Sequence, residues 1–184
     1  MIRVFAIAFI CMLYGAPLVA AELPLPRTPI YNPASKSYFQ LFDDNVYPGN
    51  WDAARARAAT QAYKGVRGRL AVVDSPATHE FLLRTFKLTQ RKVSIWIGLR
   101  YWCNARLLQW EDGSPFEPSE PEAFRLWHAD WSRTDENACT ADRSGRVGFA
   151  PIYYRTIGAL TRWQAVGAGK YFSYYLVEFP TGGQ

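Results

Sequence analysis

Hydrophobic positions recur along this chain with two different periods, and the period changes mark its elements. Ser37–Val46 alternates aromatic and polar residues (Tyr38, Gln40, Phe42), the pattern of a strand. Tyr47-Pro48-Gly49-Asn50 is a turn leading into a helix. Over Trp51–Tyr63, Trp51, Ala54, Ala58 and Ala62 form one stripe at helical spacing, while Arg55, Arg57 and Gln61 face away. The alanines let that helix sit close on a sheet. Asn50 is its expected N-cap, Asp52 suits the first turn, and Gly65 is expected to end it. Leu70–Val73 is a short apolar strand. Asp74 or Ser75 then caps a second helix with Pro76 at its first position. His79, Leu82, Leu83 and Phe86 share a face of it, which makes His79 a core or boundary residue. Lys87–Lys92 is a polar connection.

The densest apolar patterning lies in Ser94–Gly113. Ile95, Trp96, Ile97 and Leu99 alternate around Gly98, Leu107, Leu108 and Trp110 form a second run, and Asp112-Gly113 closes it with a turn signal. A glycine within a strand points to a bulge or to another backbone approaching closely. This hairpin is the expected centre of the core, with Trp51, Trp96, Trp110 and Trp163 buried around it. Glu117–Asn137 is long, acidic and proline-rich, anchored by Phe124, Trp127 and Trp131. A loop of that length in a compact domain is usually functional. Downstream, Ala138–Ala141 reads as a strand carrying Cys139, Tyr153–Ile157 as an extra strand within the Gly- and Tyr-rich Gly145–Leu160, Thr161–Val166 as a strand through Trp163, and Tyr171–Phe179 as the closing strand.

Composition adds compartment and charge. Of 184 residues, 49% are hydrophobic and 16% aromatic, enough for one domain with a substantial core. Arg3, the uncharged run Val4–Tyr14 and the small residues Val19-Ala20-Ala21 form an export signal over Met1–Ala21. The run is too short for a comfortable membrane span, and no later segment is long and apolar enough. The expected location is therefore secreted or periplasmic. Cys11 leaves with the signal. Cys103 and Cys139 then read as one disulfide in an oxidising compartment; the alternative, a catalytic cysteine with His128 or His79 as base, has no local nucleophile motif beside it. The formal net charge of +5 suits an anionic glycan, lipid headgroups or nucleic acid, or simply a solvated helical face. Glu22–Pro33, with prolines at 24, 26, 29 and 33, is an extended, partly ordered lead-in.

Several of these pieces resemble, in order, the C-type lectin-like domain family. Trp96-Ile97-Gly98-Leu99 and the Trp110-Glu111-Asp112-Gly113 turn resemble its central hairpin. Trp51-x-x-Ala54 resembles its first helix, and Gly68-Arg69-Leu70-Ala71 followed by Ser75 resembles its next strand and second helix start. The resemblance covers about Tyr38 to Phe179. It implies an α+β chain with a C-type lectin-like fold: two helices packed on small antiparallel sheets, with a long irregular loop region. It places the signal at 1–21, the lead-in at 22–36, the domain at 37–180 and a tail at 181–184, with the closing strand paired to the first.

The family holds a sugar through calcium, which takes roughly six to eight oxygen ligands. Asp135-Glu136-Asn137 aligns with its loop triplet, without the proline, and Trp163-Gln164-Ala165 with its second triplet, where Ala165 coordinates nothing. The resemblance thus implies sugar binding that is calcium-independent or uses an atypical site, with Asp130 and Asp142 as further donors. It also lacks the bridge from first helix to last strand, whose positions here are Ala58 or Ala59 and Val177. This leaves an atypical Cys103–Cys139 link pinning the loop to the hairpin. Ligand contacts are expected from Trp127, Trp131, Asp135, Glu136, Asn137 and Gln164, with Trp102, Tyr153 and Tyr154 as further aromatic candidates. Asp135, Glu136 and Asn137 are the candidate metal ligands, and no other cofactor is expected. The partner is then a glycan, or a cell-surface protein if the chain is a protein-binding envelope or adhesion factor; nucleic acid is not expected. A third reading, an enzyme of formylglycine-generating type or a glycosidase using Glu117/Glu120 or Asp135/Glu136, has no catalytic motif to support it.

Overall fold

The computed structural model describes residues 23–116, 126–127, 138–139 and 148–181. In chain order its elements are β1 (Ile30–Asn32), β2 (Ser37–Asp43), α1 (Trp51–Thr60), β3 (Ala62–Tyr63), β4 (Val66–Arg67), β5 (Arg69–Leu70), α2 (Pro76–Thr85), α3 (Leu88–Arg91), β6 (Ile95–Trp102), β7 (Leu107–Trp110), β8 (Phe149–Ile157), β9 (Leu160–Ala165) and β10 (Tyr174–Pro180). The main sheet runs β1-β2-β10-β6-β8-β9, with β5 also paired to β10 and β7 to β6. It is mixed rather than antiparallel throughout, because β10 and β6 lie parallel through Tyr174↔Ile95 and Tyr175↔Trp96. The closing strand pairs with β2 as expected, from Tyr174↔Asp43 to Pro180↔Ser37, and Thr181 Oγ1 donates to the Lys36 carbonyl at 2.7 Å.

Local chemistry explains both the agreements and the departures. Asn50 caps α1, its side chain accepting from Ala53 N at 3.0 Å. The helix stops at Thr60, before the expected Tyr63. Lys64 (φ 49°) and Gly65 (φ 81°) instead form the tip of a β3–β4 hairpin, the two-residue positive-φ turn that suits strand twist. Gly65 therefore turns a hairpin rather than ending the helix, and Ala62 is exposed. Ser75, not Asp74, caps α2 by accepting from Thr78 N at 3.2 Å. Three further departures follow. The proline-rich lead-in contributes β1, so the sheet begins at Ile30. Lys87–Lys92 contains a helical turn, α3. Of the apolar run Leu70–Val73 only Leu70 joins a ladder, with Arg69 before it; Ala71–Val73 lie outside the strand, although Ala71 N still donates to Leu176 O at 2.9 Å.

The sheet buries apolar side chains on both faces. Trp51, Ala54 and Ala58 of α1 pack with Trp96, Val177 and Phe179 on one face. Leu82, Phe86 and Leu88 pack with Ile95, Ile97, Leu99, Trp110 and Trp163 on the other. The four tryptophans expected in the core are each at most 1% exposed. Two of them satisfy their indole donors on backbone: Trp51 Nε1 to Ile97 O at 2.7 Å and Trp96 Nε1 to Gly49 O at 3.0 Å, as buried indoles usually must. Gly98 is a close-approach glycine. Its N donates to Ala71 O at 2.9 Å, and a Cβ there would lie 2.7 Å from Leu70 O. Glu178, 3% exposed, locks three strands together: it accepts from Ser37 Oγ (2.7 Å), Arg69 Nε (3.1 Å) and Val72 N (3.1 Å), the dense hydrogen bonding that a buried carboxylate requires.

Candidate functional site

The root of the long loop is built on the central hairpin and on β8–β9. Cys103 and Cys139 form a disulfide with Cα atoms 5.9 Å apart, so neither is a free nucleophile for His79 or His128. Ala138 lies in a 3-10 turn and Cys139 in irregular chain; neither is in the expected strand, and the remaining residues of Ala138–Ala141 lie outside the described ones. Trp127 makes a parallel bridge with Trp163, and the two rings meet edge to face at 5.4 Å. Trp110 and Phe116 meet the same Trp163 ring at 5.6 Å and 5.5 Å. Such pairs favour this tilted geometry over a flat sandwich.

β8 is longer than its sequence signal, because the apolar run begins at Phe149 rather than Tyr153. Successive strand residues point to opposite faces. Tyr154 and Trp163 thus enter the core shared with α2, while Tyr153, Arg155 and Gln164 lie on the other face. Gln164 sits opposite Tyr153. Its Oε1 accepts from Arg155 Nη1 at 2.6 Å and from the Tyr153 hydroxyl at 3.4 Å. On the core face, His79 Nδ1 and the Tyr154 hydroxyl are 2.7 Å apart. Burial, with a smaller contribution from the Arg162 charge, lowers His79 to about 4, so it is neutral at physiological pH. Burial also pushes the Tyr154 phenol well above its ordinary value. A cleft of about 410 Å³ opens beside this pair, lined by Glu80, Leu83, Thr89 and Arg162 among others.

The residues singled out from sequence separate into three groups. Trp131, Asp135, Glu136 and Asn137, with Asp130 and Asp142, lie outside the described residues. Trp127 and Gln164 are placed on adjoining parts of the β9 scaffold, but Trp127 is only 8% exposed, and its ring packs against Trp163. Tyr153 and Tyr154 are buried, at 7% and 0% exposure, so neither offers an open ring face; Trp102 is half-buried and donates from Nε1 to Gln109 at 2.9 Å. Sequence reasoning passed over Arg155 and Arg100. The signal available was their alternation with aromatics in Tyr153-Tyr154-Arg155 and Arg100-Tyr101-Trp102.

The described donors do not suit the calcium arrangement of the resemblance. The only side-chain oxygen of the second triplet, Gln164 Oε1, is held by a guanidinium at 2.6 Å, and a fixed cation beside a divalent ion is repulsive. Ala165 follows it with a methyl group that is 7% exposed.

Comparison with known proteins accords with the geometry. A family model for the lectin C-type domain matches residues 50–150, more than half of the chain. Among solved structures, the chain is similar to the C-type lectin CEL-I from Cucumaria echinata, with 18% identity over 77% of this chain and 89% of that one and a TM-score of 0.54. It is similar to the C-type lectin domain of murine dendritic cell inhibitory receptor 2 solved in complex with an N-glycan, with 14% identity over 86% and 100% and a TM-score of 0.58. It is also similar to the cow C-type carbohydrate-recognition domain of CD23 solved with a GlcNAc2Man3 oligosaccharide, with 18% identity over 86% and 97% and a TM-score of 0.53. No curated protein gives a significant match. The family match and the shared architecture together establish that this chain belongs to the lectin C-type domain family.

Proposed function

We propose that the chain is an exported, non-enzymatic module that binds carbohydrate through the long loop without calcium. The observation that carries the calcium-free part is the Arg155–Gln164 contact, which occupies the oxygen a calcium ion would need on β9. Membership of the lectin family and likeness to domains solved with an N-glycan or an oligosaccharide support the choice of ligand. The disulfide supports an oxidising compartment, as does the export signal over Met1–Ala21. Among the described residues, no helix is long and apolar enough to cross a membrane. Trp131, Asp135, Glu136 and Asn137 are the contacts this reading assigns to the loop, with Trp127 and Gln164 as the supports beneath it.

A glycan array probed with calcium and again with chelator tests the reading. Specific binding of equal strength in both conditions is expected. Binding abolished by chelator would overturn the calcium-free mechanism, and no binding in either condition would overturn the carbohydrate ligand in favour of a cell-surface protein.

A further inference from the structure

On the face of the sheet that carries α1, Arg100 is held in an unusual setting. Its guanidinium carbon lies 4.9 Å from the Trp51 ring, 4.9 Å from the Trp102 ring and 5.6 Å from the Phe149 ring. Trp51 and Trp102 each meet Phe149 edge to face, at 5.4 Å and 5.6 Å. The cage is therefore braced independently of the arginine. A register irregularity in β6–β8 between Trp96 and Arg100 re-aims this part of the strand, as bulges commonly do.

The cage leaves the guanidinium short of partners. Nε is sealed from solvent without a hydrogen bond, and among the described residues the guanidinium has no side-chain hydrogen bond or ion pair. Glu111 is the carboxylate whose charge acts most on Arg100; its Oε1 accepts from Arg55 at 2.8 Å, and its Oε2 is sealed without a hydrogen bond. Asp52 is the other carboxylate that acts on Arg100, and Arg55 opposes both with like charge. Since the residue is only half-buried, its terminal nitrogens stay accessible. An arginine held between aromatic rings, with terminal nitrogens free of ion pairs among the described residues, is preorganised. Its planar fork matches an oxyanion with two parallel hydrogen bonds, and little rotamer freedom remains to be lost on binding.

The geometry points to Arg100 as the receptor for the anionic group of an acidic sugar, with the exposed part of the Trp102 indole as the apolar rim against which the sugar ring rests. Arg100 and Trp102 are not among the loop contacts assigned above. The carboxylate or sulfate accepts from the guanidinium edge, which the surrounding rings hold in place. Cation–π contact with the rings offsets part of the desolvation that burial imposes. A neutral sugar has no group that repays the guanidinium in this way.

The test is a titration of the purified protein with sodium glucuronate, with glucose and with inorganic sulfate, followed by the nitrogen–proton resonances of the Arg100 guanidinium and the Trp102 indole. Saturable shifts with glucuronate and none with glucose are expected. Arg100→Lys keeps the charge but not the fork, and is expected to weaken glucuronate roughly tenfold. Arg100→Gln is expected to abolish the response while the remaining amide spectrum shows a folded chain. Equal response to glucuronate and glucose, or glucuronate binding that survives either substitution unchanged, would overturn the proposal. Inorganic sulfate binding as tightly as glucuronate would overturn the sugar part of it. Loss of glucuronate binding in Arg100→Gln with array binding intact separates this site from the loop site; failure of the array reading alone would leave the titration standing.

Discussion

His79 shows how a single residue can be read correctly for its place and still hide its chemistry. Its position on the apolar face of α2 marked it as a core or boundary residue, and it is buried against Tyr154. What the pattern did not contain was the depressed basicity, because that depends on β8 and on Arg162 of β9, far away in sequence. The sign of its linkage is definite. Between pH 6.5 and about 4, the unfolded imidazole takes up a proton that the folded one refuses. The stability contribution is therefore full above pH 6.5 and lost as the pH falls towards 4. The ceiling of that loss is roughly 3 kcal/mol. Chemical denaturation of wild type and His79→Gln at stepped pH should show wild type ahead at neutral pH and its lead shrinking between pH 6.5 and 4. A lead that does not vary with pH would refute the neutral, buried imidazole.

Among the elements, the central hairpin was the most legible, for a physical reason. A strand buried on both faces must be apolar at nearly every position, and β6 is; a glycine inside such a strand must answer a backbone, and Gly98 answers that of Leu70 and Ala71. Gly98→Ala should therefore push two carbonyls apart and lower the thermal midpoint. An overpacking cost of about 1–3 kcal/mol corresponds to a drop of several degrees, readable by calorimetry. An unchanged midpoint would show that β5 gives way without resistance. The less legible elements were those held by tertiary pairing rather than by their own pattern. β1 lies in a proline-rich stretch and forms because its residues pair with β2. β3 and β4 are two residues each and exist because Lys64-Gly65 can turn. α3 is a single turn between two positive-φ lysines. None of these carries enough periodicity to register.

At the scale of the whole molecule, the family was legible from an ordered set of weak motifs, and so was the one disulfide, once cysteine count and compartment were combined. The Arg100 cage was not legible, since it assembles Trp51, Trp102 and Phe149 from three separate elements. Nor was the Arg155–Gln164 contact, which needs the β8–β9 register. The Cys103–Cys139 bridge closes a separation of 36 residues, a constraint that the chain-entropy model values at about 4 kcal/mol. Replacing both cysteines with serine should lower the free energy of unfolding by up to that amount, read as a lower urea midpoint, without changing the burial of Trp96 and Trp110. Native-like tryptophan emission with a reduced midpoint is the expected result. Collapse of the tryptophan signal would mean that the bridge supports the hairpin itself and not only the excursion that departs from it.

The sheet edge formed by β1, β2 and β10 has a topological consequence. β1 and β10 flank the same strand, Pro180 stands opposite Ser37, and Thr181 reaches back to Lys36. Ile30, where β1 begins, and Pro180, where β10 ends, therefore lie about two strand spacings apart across β2, roughly 10 Å. A short peptide could join these two points, and fresh ends opened at the Gly158 turn would yield a circularly permuted domain that keeps every ladder except the β8–β9 hairpin connection.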